Sequence, residues 1–191
     1  MPLIDKRFWK SQGALWGQDK PEKKREAGRE LRNHTASQLG SPLVRHLVVF
    51  FSTGLYSGYI PLAPGTAGTF VAIPLYLVLS RLPALSYGIT VVAFLFMSCW
   101  FSGAAESIFL KKDSRRIVID EIGGFLVTMG FLPPVPLCVF SGFILFRFFD
   151  IVKPFPIKRL EALKGGYGVV ADDVVAGIYS NLVLHVCLLF V

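Results

Sequence analysis

The sequence predicts an all-α fold: a helical membrane domain with several transmembrane or re-entrant helices, preceded by a polar, basic N-terminal tail. Three observations carry that expectation. Hydrophobic residues make up 53% of the 191-residue chain and charged residues 17%, and the mean hydropathy is +0.55, well above an ordinary soluble domain. Four long runs (47–80, 82–105, 122–146 and 174–191) contain no Asp, Glu, Lys or Arg. Basic charge is displaced to one end, since residues 1–45 hold ten of the 20 basic residues but five of the 13 acidic ones. The expected organisation is a flexible cytoplasmic tail over 1–43 and one membrane-embedded domain over 44–191, with no internal repeat.

The tail is densest in charge at Lys20-Pro-Glu-Lys-Lys-Arg-Glu-Ala-Gly-Arg-Glu. No apolar stretch follows it within the first 40 residues, so it is not a secretory signal. Its basic residues are mixed with acids and lack any stacking or groove-reading motif, which argues against nucleic acid. Attraction to anionic headgroups is a minor role it could play. Residues 44–62 are apolar but broken by Thr53-Gly54 and Ser57-Gly58, and are expected to be interfacial or re-entrant. Segments 65–82 and 85–103 approach or reach the length of about 17–25 residues needed to cross a bilayer. Segments 122–132 and 135–150, separated by Pro133-Pro134-Val135-Pro136, read as a helical hairpin, and 174–191 is the last candidate helix. Small residues recur at four-residue spacing (Gly65 and Thr69, Gly68 and Ala72, Gly124 and Thr128, Ala176 and Ser180), which lets helices approach closely. Cys99, Cys138 and Cys187 all lie in apolar runs and suggest neither disulfides nor a zinc site.

The links between apolar runs alternate between basic (106–119 and 153–168) and nearly uncharged (82–84 and 133–136). Positive segments stay in the cytoplasm. That rule brings Pro64-Gly65-Thr66, Asp120-Glu121, Arg147 to Lys153 and the stretch 165–173 to one face of the membrane.

Those clusters contain the residues that could do chemistry. Asp120 and Glu121 open one apolar run, Asp150 closes the next, and Asp172 and Asp173 open the last. Carboxylates at a hydrocarbon edge are expensive and usually serve an ion, a proton or a polar substrate. Five of them could hold one or two hard cations, and Mg2+ suits such oxygen donors because it bridges readily to phosphate. Each adjacent pair could instead be a helix cap, with one member capping and the other ligating as an intermediate case. Arg147, Asp150 and Lys153 recur every three residues, so they share one side of a helix end. Arg147 and Lys153 could bind phosphate oxygens, or Arg147 could simply neutralise Asp150. Pro64-Gly65-Thr66-Ala67-Gly68-Thr69 enters a helix whose free amides, with the hydroxyls of Thr66 and Thr69, could hold an anion or could form only a turn. Gly165-Gly166-Tyr167-Gly168 reads as a flexible link that positions Asp172 and Asp173. His34, His46 and His185 have no nucleophile beside them in the sequence, so a hydrolytic triad is unsupported.

Four ordered blocks resemble the phosphatidylglycerophosphatase A family of bacterial lipid phosphatases. They are Thr53-Gly-Leu-Tyr-Ser-Gly-Tyr-Ile-Pro-Leu-Ala-Pro-Gly-Thr-Ala-Gly-Thr69, Val118-Ile-Asp-Glu-Ile-Gly-Gly124, Phe146-Arg-Phe-Phe-Asp-Ile-Val-Lys-Pro-Phe-Pro-Ile157 and Gly166-Tyr-Gly-Val-Val-Ala-Asp-Asp-Val-Val-Ala-Gly177. The resemblance covers 45–191 and leaves the tail unmatched. It implies Mg2+-dependent hydrolysis of phosphatidylglycerophosphate to phosphatidylglycerol at the bacterial cytoplasmic membrane, by a multi-pass enzyme whose site faces the cytoplasm. It also implies that Asp120, Glu121, Asp150, Asp172 and Asp173 form the acidic site. The competing expectation is a transporter of ions or small solutes that uses the same carboxylates near the bilayer midplane.

Overall fold

The computed structural model describes residues 41–111, 114–160 and 166–190, and among these the regular structure is entirely helical. The tail expected over 1–43 lies outside the described residues except for its last three. The helices are α1 (Pro42–Ser52), α2 (Pro64–Leu79), α3 (Ala84–Phe109), α4 (Ile119–Thr128), α5 (Pro136–Val152), α6 (Ile157–Leu160) and α7 (Gly166–Leu188), with a 3-10 turn at Ser57–Tyr59 after α1.

At 11 residues α1 is about 16 Å long, half the hydrocarbon thickness of a bilayer. Beyond it Gly54, Leu55 and Tyr56 take left-handed backbone conformations that fold the chain into the 3-10 turn. Proline starts both α2 (Pro64) and α5 (Pro136), positions where its missing N–H costs nothing. Helices α3 and α7, with 26 and 23 residues, are long and apolar enough to cross a membrane by length and composition. The α5 helix ends at Lys153, whose left-handed backbone donates its N–H to the Phe149 carbonyl; Pro154 then prevents continuation.

Helix α4 is the centre of the molecule. It is only 10 residues long, yet eight of them are buried, and it packs against α2, α3, α5 and α7. A helix that short leaves its last carbonyls without intrahelical donors. Neighbouring helices supply donors to two of them, Leu126 O and Thr128 O, and to the turn beyond. The Tyr87 hydroxyl on α3 donates to Leu126 O (2.7 Å), Asn181 Nδ2 on α7 donates to Thr128 O and Gly130 O (2.9 Å each), and the Tyr76 hydroxyl on α2 donates to Leu132 O (2.8 Å). The expected hairpin of α4 and α5 is present as an antiparallel pair, with Gly124 against the Phe146 ring and Gly142 against Met129. Tyr76, Phe125 and Phe146 form the fully buried aromatic core between these helices.

The last helix differs from the sequence expectation. It begins at Gly166 and not near Val174, so Asp172 and Asp173 lie in its second turn. Gly166 is a packing residue, because a Cβ there would collide with the Cys99 carbonyl on α3. Gly166-Tyr167-Gly168 is therefore the first turn of a helix whose backbone rests on α3, while Gly165 lies outside the described residues. The small-residue pairs are buried as expected, and three of them share a further feature. Thr69, Thr128 and Ser180 each donate a hydroxyl hydrogen to the carbonyl four residues back.

Candidate functional site

The first turns of α2 and α4, the second turn of α7 and the last turn of α5 meet at one end of the helix assembly. Asp120, Glu121 and Asp173 form one group, and Asp150, Asp172 and Asp173 a second, each with carboxylate oxygens within 4.8 Å of one another. Asp173 belongs to both. Adjacent residues diverge by about 100° on a helix, yet both members of each predicted pair reach the cluster. The expectation that one would cap and the other face inward does not describe α7, which has no acidic residue in its first turn.

Burial gives the cluster its electrostatics. Asp120, Asp172 and Asp173 are 6%, 6% and 3% exposed. Burial pushes the Asp120 carboxyl well above the usual carboxylate range, and the adjacent charges of Glu121 and Asp173 push it further. Glu121 is pushed up to about 7, again first by burial and then by Asp150, against the opposing hydrogen bond from Asp120 and the Arg147 charge. Buried oxygens left without a hydrogen-bond partner include Asp120 Oδ1, Glu121 Oε2 and Asp172 Oδ1. Such atoms are costly unless something fills the gap. An all-oxygen, multiply anionic donor set with orphaned lone pairs fits a hard divalent cation such as Mg2+.

Two cations line the same space. Arg147 Nη1 lies 2.8 Å from Asp150 Oδ2 and Lys153 Nζ lies 2.7 Å from Asp172 Oδ2. The Arg147 contact is ionic but poorly aligned, because Nη1 and Nε both lack a hydrogen-bond partner despite being buried. Gly65, at the second position of α2, faces this guanidinium. A Cβ there would collide with Glu121 Oε1 and lie 3.0 and 3.2 Å from Arg147 Nη1 and Nη2. The N-cap Ala63 offers no side-chain cap, so first-turn amides of α2 stand beside Arg147.

Of the two threonines singled out from sequence, Thr66 is half-buried in the first turn of α2. Thr69 is fully buried one turn further in, and its hydroxyl hydrogen is committed to Gly65 O at 2.9 Å. The sequence places Gly65 in a turn that could hold an anion but marks Gly124 only as a packing residue. Gly124 lets α4 approach the Asp173 backbone carbonyl, which a Cβ would meet at 2.8 Å. The signal was the four-residue spacing of small residues, which marks close packing but does not say what the packing brings together.

Residues 50–188 match the phosphatidylglycerophosphatase A family. A Bacteroides thetaiotaomicron protein with the provisional name phosphatidylinositol-3-phosphatase is 39% identical over 148 residues, covering 73% of this chain and 92% of its own. The phosphatidylglycerophosphatase A of Escherichia coli is 32% identical over 136 residues (70% and 79%), and that of Haemophilus influenzae is 34% identical over 136 residues (70% and 83%). No solved structure gives a significant match. With its acidic blocks inside the matched region and in register with one clustered site, the chain belongs to the phosphatidylglycerophosphatase A family.

Proposed function

We propose that this chain is a membrane-embedded, Mg2+-dependent lipid phosphomonoesterase that converts phosphatidylglycerophosphate to phosphatidylglycerol and phosphate at the cytoplasmic face of a bacterial inner membrane. The observation that carries this is the meeting of five carboxylates from three helices with the unpartnered Arg147 Nε, at one end of apolar helices. Two of those helices are long enough to span. The outward faces of α3 and α5, including Leu85, Phe96, Leu137, Phe140 and Ile151, are apolar and exposed, as lipid contact requires.

Asp120, Glu121, Asp150, Asp172 and Asp173 would hold Mg2+. When bound it neutralises charge on the phosphomonoester oxygens as the transition state develops. Arg147 and Lys153 bind the remaining phosphate oxygens, Arg147 through Nε, which has no hydrogen-bond partner within the protein. The α2 amides and the Thr66 hydroxyl line the same seat, and Gly65 keeps it open. A cluster carboxylate orients water and accepts its proton as the water oxygen bonds to phosphorus. The bond from phosphorus to the glycerol oxygen breaks, and the alcohol leaves with a proton. Acyl chains stay in the bilayer, so only the headgroup is read. The terminal position of the carboxylates favours this chemistry over a transporter, whose site would lie near the midplane.

Purified protein in lipid is expected to release phosphate from phosphatidylglycerophosphate with Mg2+ and not after chelation. Phosphatidylinositol 3-phosphate is the second substrate to compare, because the Bacteroides relative carries that name. Faster turnover of the phosphoinositide would replace the substrate named above. No Mg2+-dependent release from either lipid would overturn the phosphatase assignment.

A further inference from the structure

We infer that the site holds two divalent cations in separate carboxylate nests, with Asp173 as the bridging ligand; this rests on the metal-dependent reading proposed above and specifies its architecture. The geometry divides the donors. Asp120 and Glu121 come from α4, Asp150 and Asp172 from α5 and α7, and among the described residues Asp173 is the member common to both groups. Each nest contains an oxygen of a nine-tenths-buried side chain with no hydrogen-bond partner: Asp120 Oδ1 in the first and Asp172 Oδ1 in the second. A single ion seated in one nest would leave the other orphan unsatisfied.

Charge leads to the same count. Metal ligation displaces the protons that burial favours on Asp120 and Glu121, and five ionised carboxylates against Arg147 and Lys153 then leave the site three charges negative. One divalent cation leaves it negative still, and a phosphomonoester dianion would then be repelled. Two make it positive overall, which is what an anionic substrate needs. Coordination agrees, since Mg2+ usually takes only one or two carboxylates and fills its octahedron with waters and phosphate oxygens. Five carboxylates are far more than one ion uses, and a pair sharing Asp173 lowers the load to three per ion, nearer that number. Lys153, paired with Asp172 Oδ2 at 2.7 Å, leaves Oδ1 as the atom of that residue free to ligate.

The test uses Mn2+, a paramagnetic stand-in for Mg2+, titrated into the full-length chain in lipid nanodiscs after chelation. Equilibrium counting is expected to give two ions per chain, and low-temperature electron paramagnetic resonance an exchange-coupled pair. Asp173→Asn should abolish the coupling and weaken both ions by at least about tenfold. Asp120→Asn and Asp150→Asn should each retain one uncoupled ion, which keeps the test decisive if Asp173→Asn fails to fold. One ion per chain with Mg2+-dependent phosphate release intact overturns the two-ion arrangement and leaves the phosphatase assignment standing. Two ions with no coupling, or a coupled pair surviving in Asp173→Asn, overturn the bridge. No bound ion and no metal-dependent release overturn both readings together.

Discussion

Individual carboxylates were the most legible part of the sequence, because an acidic residue at the edge of a long, mostly apolar and charge-free run has few reasons to be there. The three-residue spacing also made the Arg147–Asp150 pair legible, but the long-range partners were not. Lys153 and Asp172 are 19 residues apart, and Glu121 meets the Gly65 position across 56, so no local pattern could pair them. Two outcomes follow at this scale. If the cluster holds Mg2+ as proposed, Asp120→Asn, Asp150→Asn and Asp173→Asn should each lower turnover by at least about a hundredfold, since several kcal/mol of charge stabilisation would depend on the metal, while circular dichroism stays unchanged. Near-normal turnover in two of the three would break the shared site. The second outcome concerns pH. An acid whose folded-state pKa exceeds its unfolded value makes the native state hold the extra proton, so stability falls as pH rises between the two values. Glu121 sets that window from 4.5 to about 7, and Asp120 shifts in the same direction. Chelated protein should therefore lose melting temperature as pH climbs through this window, and saturating Mg2+ should remove the slope. A melting temperature that rises with pH in chelator would show that these carboxyls are not held in a desolvated cluster.

At the scale of elements, the hairpin of α4 and α5 was readable from Pro133-Pro134-Val135-Pro136 between two charge-free runs. The start of α7 was not. Gly165-Gly166-Tyr167-Gly168 has the composition of a link, and only the α3 backbone at Cys99 shows that Gly166 is needed for contact. The enclosure of α4 was equally hidden, because Tyr76, Tyr87 and Asn181 are polar residues scattered over three other helices that converge on its end. Close packing of α4 on α7 is the element-level condition for the site. A Cβ on Gly177 would lie 2.5 Å from Gly124 O and 3.1 Å from Val127 Cβ. Gly177→Ala should cost about 1–3 kcal/mol through overpacking, or roughly 2–4 °C of melting temperature per kcal/mol. It should also weaken Mg2+ binding, since Asp173 would move away from Asp120. Unchanged melting and unchanged affinity together would show that α4 and α7 are not coupled through this contact.

For the whole molecule, fold class was legible from composition, because charge-free runs of this length leave few alternatives to helices that bury or span. Orientation rests on the basic links alone and is open to a direct check. Single cysteines at the exposed positions Arg115 and Lys158, in a background without the native thiols, should react with a membrane-impermeant maleimide only from the cytoplasmic side, and one at Pro134 only from the other. Labelling of 115 and 158 from opposite faces would separate the carboxylates and end the single-site reading.

The carboxylates gather at one end of apolar helices, and on the membrane-embedded reading proposed above this has a kinetic consequence. A substrate anchored by its acyl chains reaches such a site by lateral diffusion, so the concentration that matters is its mole fraction in the surface and not its molarity in the tube. Diluting phosphatidylglycerophosphate with an inert neutral detergent, at constant total substrate, should slow turnover in proportion to the falling surface fraction. A rate that ignores that dilution would mean the headgroup arrives from water, and the apolar helices would then serve folding alone.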